Sequence, residues 1–298
     1  MTQPRSAADA AQLPENRRAF AQHPRQWAAN RYVYPVVSRR SGGISVGINL
    51  NPDKVCNFDC IYCSVNRKDP STVTHVDIAQ VQTELDGLLA IVQSGEIYTH
   101  DPFDKISPQL RRLNDVAFSG DGEPTTEPLF PQCVRMAAET LAQRRLAEVK
   151  LVLITNASMF HRPAVRGALE FMDQHNGEVW AKLDAGTEAY YKLVDRSAVP
   201  LDRILANLAW CCQTRPTVIQ TLLMRVHNEP PPPAEVDAYI ARLAAIMASG
   251  GRIKLVQLYT VARQTTESYA TRLTTEELEA IASRVRSTLV GVPVAVFD

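Results

Sequence analysis

Short, nearly unbroken apolar runs alternate along the chain with longer stretches in which apolar positions recur every three or four residues. The runs GISVGINL (Gly43–Leu50), the apolar start of DVAFSGDGEP, VKLVLITN (Val149–Asn156), EVWAKLDA, TVIQTLLMRV and IKLVQLYTVA read as six strands. The near-continuous run at Val149–Asn156 is what a strand covered on both faces requires. Between the runs, Ile78, Val81, Leu85, Leu88, Leu89 and Val92 follow helical spacing. Further helices are predicted over PLFPQCVRMAAETLAQRR, PAVRGALEFMDQH, LDRILANLAWCCQ and EVDAYIARLAAIMA. A last helix opens at Thr274, which with Glu277 forms a capping box, and runs through Leu278, Ile281, Val285 and Leu289 to a short strand, VPVAVF. Strands alternating with helices predict parallel βαβ units. No G-x-G-x-x-G follows the first strand, so a barrel or open barrel fits better than a dinucleotide-binding sheet.

Residues 1–42 read as an irregular, partly helical extension with an amphipathic piece around RRAFAQHPRQWAANRYVY. Residues 43–265 carry the βα alternation and 266–298 form a helix-strand tail. The alternation continues across Pro230–Pro233, which is therefore an extended loop and no domain linker. Of the 298 residues 45% are apolar, enough for a large core, and Lys+Arg balance Asp+Glu at 32 each. That balance lacks the electrostatic footprint of a dedicated nucleic-acid binder. No apolar signal region or membrane-length run is present, so a cytoplasmic chain with no membrane partner is expected, with its cysteines reduced.

Three of the six cysteines crowd into NPDKVCNFDCIYCSVNR as Cys56, Cys60 and Cys63, spaced C-x3-C-x2-C. A structural zinc site closes on four ligands. The nearest histidine on the C-terminal side, His75, lies twelve residues past Cys63. Three thiolates without an obvious fourth ligand suit an iron–sulfur cube with one iron left open, while zinc and plain packing are the alternatives. Cys133, Cys211 and Cys212 sit at helix-like positions as small buried hydrophobes. The other unusual stretches, SGDGEP, TNAS, LDAG, RVHNEP and YTVAR, each follow a predicted strand, the end at which (β/α) barrels build their sites.

The C-x3-C-x2-C loop after the first strand, with Tyr62 before the last cysteine, resembles the radical S-adenosylmethionine (SAM) superfamily. GDGEP (Gly120–Pro124) resembles that superfamily's GGE-type motif, and the likeness spans roughly residues 43–265. It implies a partial (β/α)6 barrel of the TIM type with the N-terminal extension and C-terminal tail added. It also implies a [4Fe-4S] cluster on Cys56, Cys60 and Cys63 and SAM on the open iron, cleaved reductively to a 5′-deoxyadenosyl radical that takes hydrogen from substrate. Gly120, Asp121, Gly122 and Glu123 would then serve the methionine amino group. A low-potential donor such as flavodoxin or ferredoxin would supply the electron.

FSGDGEPT, LITNAS, KLDAG and VQLYTVAR are most similar to the wyosine-base synthetase branch, which acts on a transfer-RNA guanosine. That branch carries extra N-terminal cysteines, and here none precedes Cys56, so a small-molecule or peptide substrate is expected rather than transfer RNA. Thr155 and Asn156 are expected at the ribose or methionine carboxylate, or else as a helix-start cap. Lys182 is expected to hold a carboxylate or to pair with Asp184, because i and i+2 on a strand share a face. Arg225, Asn228, Gln257, Tyr259 and Arg263 are weaker pocket candidates, and His161, His175 and His227 have no ligand-like spacing. Transfer-RNA base modification, a glycyl-radical activase and a structural or electron-transfer metal module are the alternatives.

Overall fold

The computed structural model describes Asn16, residues 27–69, Ser71 and residues 73–298. The amphipathic piece expected before Trp27 lies outside these apart from Asn16. The chain divides into two compact units interleaved in sequence. The first comprises Met1–Asp53, Ser71–Leu153 and Gly167–Gly177; the second comprises Lys54–Pro70, Ile154–Arg166 and Glu178–Asp298. Among the described residues no helix is long and apolar enough to cross a membrane.

In the first unit the order is β1 (Val33–Ser38), β2 (Gly43–Ile48), α1 (Ile78–Ser94), β3 (Leu113–Phe118), α2 (Phe130–Gln143) and β4 (Lys150–Thr155). β2 pairs antiparallel with β1 and parallel with β3, and β3 pairs parallel with β4. All six positions of β2 are buried. The strand β1 falls inside the stretch expected to be irregular. Its β-branched and aromatic content, VYPVVS, favours extended chain, and an edge strand tolerates Pro35. The buried Glu84 of α1 fixes its entry, accepting the backbone N–H groups of Arg31 (2.9 Å), Tyr32 (2.8 Å) and Val33 (3.0 Å). The periodicity read for α1 holds: Val81, Leu85, Leu88, Leu89 and Val92 are buried, each such side chain contributing ~1.5–3 kcal/mol. Asp77 caps the helix by accepting from the N–H groups of Ala79 and Gln80.

After α3 (Pro163–Asp173), the second unit carries β5 (Gly177–Lys182), α4 (Glu188–Val194), α5 (Leu201–Thr214), β6 (Thr217–Leu222), β7 (Met224–Val226) and α6 (Pro233–Ala248). It ends with β8 (Ile253–Tyr259), β9 (Ala270–Arg272), α7 (Thr275–Thr288) and β10 (Val294–Phe297). β5 pairs with β6, β6 with β8 and β8 with β10, all parallel. The run TVIQTLLMRV, expected as one strand, changes partner in the middle. β6 stays with β8, while β7 turns to pair antiparallel with β9. The capping box of Thr274 and Glu277 is present, and Leu278, Ile281 and Val285 are buried beneath it.

The short helix α4 carries no apolar repeat and was not predicted. Polar capping creates it. The Thr187 hydroxyl accepts the Tyr190 N–H, and the buried Glu235 carboxylate takes the Gly186 N–H (2.5 Å) and the Thr187 hydroxyl (2.5 Å). Residue 186 must be glycine there, because a Cβ would stand 2.0 Å from the Tyr239 backbone nitrogen.

Candidate active site

Within the second unit, the cysteine loop has no regular structure yet is held along both edges. The N–H groups of Asp59 and Ile61 donate to the carbonyls of Asp195 (3.1 Å) and Val194 (2.9 Å) at the end of α4. On the other edge the carbonyls of Cys63 and Ile61 accept from the N–H groups of Thr266 (2.8 Å) and Glu267 (3.3 Å). The Cys63 N–H closes a tight turn on the Cys60 carbonyl at 3.0 Å. Ile61 is fully buried and Phe58 packs edge-on against Tyr191, so the apolar residues between the cysteines anchor the loop. All three cysteines are half-buried thiols outside any disulfide. Arg67 Nη1 donates to Cys63 Sγ at 3.1 Å, and Cys60 Sγ lies 3.4 Å from Asp195 Oδ1.

A charged knot stands beside the loop in the same unit. The Tyr62 hydroxyl donates to Asp184 Oδ2 and accepts from the Lys182 ammonium. Lys182 Nζ lies 3.3 Å from Asp184 and 4.4 Å from the Tyr62 ring centroid. Asp184 Oδ1 takes the Leu222 N–H at 2.7 Å. The expected pairing of Lys182 with Asp184 is therefore present, with Tyr62 joining it. Burial works against the Lys182 charge, but the Asp184 carboxylate and the other acidic groups around it outweigh that and hold its pKa well above the ordinary lysine value. Burial and then Asp184 push the Tyr62 phenol well up. Burial also pushes Asp195 up, to about 8, with Asp184 adding repulsion and Lys182 opposing it. Burial, then Asp195, raise the Cys60 thiol.

At the end of β4, also in the second unit, Thr155 and Asn156 are buried in a turn of their own making. Thr155 Oγ1 accepts the Ala157 N–H and Asn156 Oδ1 accepts the Ser158 N–H, both at 3.0 Å. Asn156 Nδ2 donates to Asn57 Oδ1 (2.9 Å), and Asn57 Nδ2 to Ser158 Oγ (2.7 Å). Asn207 of α5 braces the turn through the Ala157 carbonyl (2.8 Å), with Ala157 at φ 61°. Asn156 thus ties the cysteine loop to this turn, and neither residue caps a helix, since α3 begins only at Pro163.

The Gly120–Glu123 loop belongs to the first unit. Asn49 organises it, donating to Asp121 Oδ2 (2.7 Å) and accepting the N–H groups of Asp121 (3.2 Å) and Asn51 (3.0 Å). A Cβ at residue 120 would stand 2.4 Å from Asn49 Oδ1, so glycine is required for this approach. The buried Glu123 carboxylate accepts from the N–H (3.2 Å) and hydroxyl (2.5 Å) of Thr125. Its backbone carbonyl already takes the N–H (3.1 Å) and hydroxyl (2.7 Å) of Thr126.

Sequence reasoning missed Asn49, Asn57, Arg67, Asp195, Arg196, Asn207 and Glu267. They are polar residues with no repeat or spacing; Asn57 and Arg67 lie in the cysteine stretch itself, and folding brings the others to the loops. The weaker candidates are engaged structurally. Arg225 pairs with Glu277, and Gln257 accepts from Gln220 at 2.7 Å in the row that β5, β6 and β8 make of Lys182, Gln220 and Gln257. His175 stacks on Phe171 and His227 on Tyr269. Cys133, Cys211 and Cys212 are fully buried, as expected.

Among the described residues no three His, Cys, Asp or Glu side chains gather as donors for a single metal ion. A cube differs, because each thiolate binds a different iron and the three sulfurs need not converge. Three half-exposed thiols on one braced loop fit that requirement.

Comparison with known proteins gives the family. Residues 50–234 match the family model of the radical SAM superfamily. A protein of Brachyspira hyodysenteriae described as GTPase Obg is 24% identical over 84% of this chain and 32% of its own length. A UPF0026 protein of Methanocaldococcus jannaschii is 28% identical over 58% of this chain and 47% of its own length. The chain thus spans less than half of either relative. Among solved structures, a radical SAM methyltransferase from Sphaerobacter thermophilus superposes with a TM-score of 0.60 at 12% identity, over 89% of this chain and 69% of that one. Streptococcus suis SuiB bound to S-adenosylmethionine gives 0.56 at 11% identity, over 87% and 52%. These likenesses show the mixed α/β partial-barrel fold expected from the sequence. With the family model covering more than half its residues, the chain belongs to the radical SAM superfamily.

Proposed function

We propose that the chain is a radical SAM enzyme in which Cys56, Cys60 and Cys63 hold a [4Fe-4S] cluster and leave one iron for SAM. The observation that carries this reading is the braced loop, which presents three half-buried thiols outside any disulfide within eight residues. When bound, the cluster and SAM supply reductive cleavage to a 5′-deoxyadenosyl radical, and the chain's share is binding, orientation and exclusion of water. Lys182 keeps its charge between Asp184 and Tyr62, which suits it to a carboxylate such as that of SAM's methionine. The same charge makes it a poor amine nucleophile. Gly120, Asp121 and Gly122 are proposed to serve the methionine amino group. Glu123 is proposed to act by shaping that loop, since its own carbonyl is occupied. Thr155 and Asn156 are proposed to set the cofactor side of the site through the turn they build. Reducing equivalents come from a low-potential donor such as flavodoxin or ferredoxin.

The substrate proposed is a small molecule or peptide, on the neutral balance of 32 Lys+Arg against 32 Asp+Glu. Transfer-RNA guanosine is the second reading, favoured by the FSGDGEPT, LITNAS and KLDAG motifs. The test is anaerobic: reconstitute with iron and sulfide, add SAM and dithionite, and measure 5′-deoxyadenosine by mass spectrometry. The nucleoside should form with the native chain and not with Cys60→Ala. A reconstituted chain that forms none refutes the radical reading.

A further inference from the structure

The two segments that grip the cysteine loop are 71 residues apart in sequence, and one ion pair joins them. Arg196, just past α4, sends Nη2 to Glu267 Oε1 at 2.5 Å. Its Nε donates to the Asp59 carbonyl at 3.0 Å and lies 3.5 Å from the Asp59 carboxylate. One guanidinium therefore touches the loop between Cys56 and Cys60 and, at the same time, the strap that lies along Ile61–Cys63. The strap is itself shaped for this. Thr265 Oγ1 donates to the Glu267 carbonyl at 2.8 Å, and the Thr266 hydroxyl donates to the Ile61 carbonyl at 3.3 Å. Beside Arg196, the Ser197 hydroxyl donates to the Asn57 carbonyl at 3.1 Å. Arg196 holds φ 46°, a left-handed conformation that a residue with a Cβ adopts at a cost. The surrounding hydrogen bonds keep it there and aim its side chain across the loop.

We propose that Arg196 and Glu267 are positioning residues for the cysteine triad, their ion pair latching the Thr265–Glu267 strap across the loop so that Cys60 and Cys63 are set before any cluster is bound. A loop without helix or strand opens locally unless tertiary hydrogen bonds hold it, and a ligand set held in place beforehand loses less freedom on binding its metal. The latch acts on the loop alone, because an ion pair one-third exposed adds little to global stability. The consequence for cluster retention rests on the function proposed above; the latch itself does not.

Hydrogen exchange on the full, cluster-free chain separates the two. In Arg196→Gln the amides of Asp59–Cys63 should exchange about fivefold faster than in the native chain, with Arg196→Lys intermediate and the amides of β6 and β8 unchanged. Unchanged exchange at Asp59–Cys63, or acceleration spread equally over β6 and β8, overturns the latch. After reconstitution, Arg196→Gln should lose iron to a chelator several-fold faster than the native chain, on the order set by the faster opening. Equal loss overturns the retention half. A native chain that takes up no iron and sulfide refutes the cluster and retention together, and the exchange data still decide the latch.

Discussion

Replacing Asp184 by Asn tests the knot of Lys182, Tyr62 and Asp184 most sharply. The substitution keeps the side-chain shape and the oxygen that accepts the Leu222 N–H. It removes the negative charge 3.3 Å from Lys182 Nζ and turns an amide donor toward the ammonium. At an effective dielectric constant near 20 the lost attraction is ~5 kcal/mol. Lys182 keeps 21% of its side chain exposed and recovers part of this through hydration, leaving a net loss of roughly 2–3 kcal/mol. For a chain of this size that lowers the thermal midpoint by about 3–5 °C. Because Lys182 is held above its ordinary pKa, the loss is fully expressed at neutral pH and fades only as the pH climbs past the lysine range. Calorimetry on the cluster-free chain reads it. Lys182→Met with Asp184→Asn should recover most of the loss, since two neutral groups leave no buried charge unpaired. A single-variant cost below about 0.5 kcal/mol, or a double variant whose cost is the sum of the two singles, refutes the reasoning.

Glu84→Ala strips three backbone N–H groups of their acceptor at the entry to β1. It should cost roughly 2–4 kcal/mol in urea unfolding, and a cost under about 1 kcal/mol would contradict the anchoring role. Native-state alkylation at pH 8 should label only within Cys56, Cys60 and Cys63. Burial pushes Cys133 and Cys212 up to about 12 and Cys211 is fully buried, so mass spectrometry finding any of those three modified would count against the packing described.

The elements built on apolar periodicity were legible in advance, α1 and the Thr274 capping box most clearly, because burial and capping are local signals. The strand β1 was hidden by a helix-like pattern in the residues before it, and its strand character rests on pairing with β2. The partner change at Leu223 and the helix α4 depend on Asp184, β9 and Glu235, none of them near in sequence. For the site, Cys56, Cys60, Cys63 and the Lys182–Asp184 pair could be read from spacing alone. Their supports could not. Arg196, Glu267 and Asn207 act from 50 to more than 200 residues away, through a few hydrogen bonds that leave no pattern in the chain.

The central claim is that the cysteine triad holds a cluster with an iron open to SAM. The most direct measurement is electron paramagnetic resonance of the reconstituted, dithionite-reduced chain with and without SAM. The account predicts a reduced-cluster signal that changes shape when SAM is added and is absent in Cys60→Ala. A signal indifferent to SAM, or zinc in place of iron on the native chain, would contradict it.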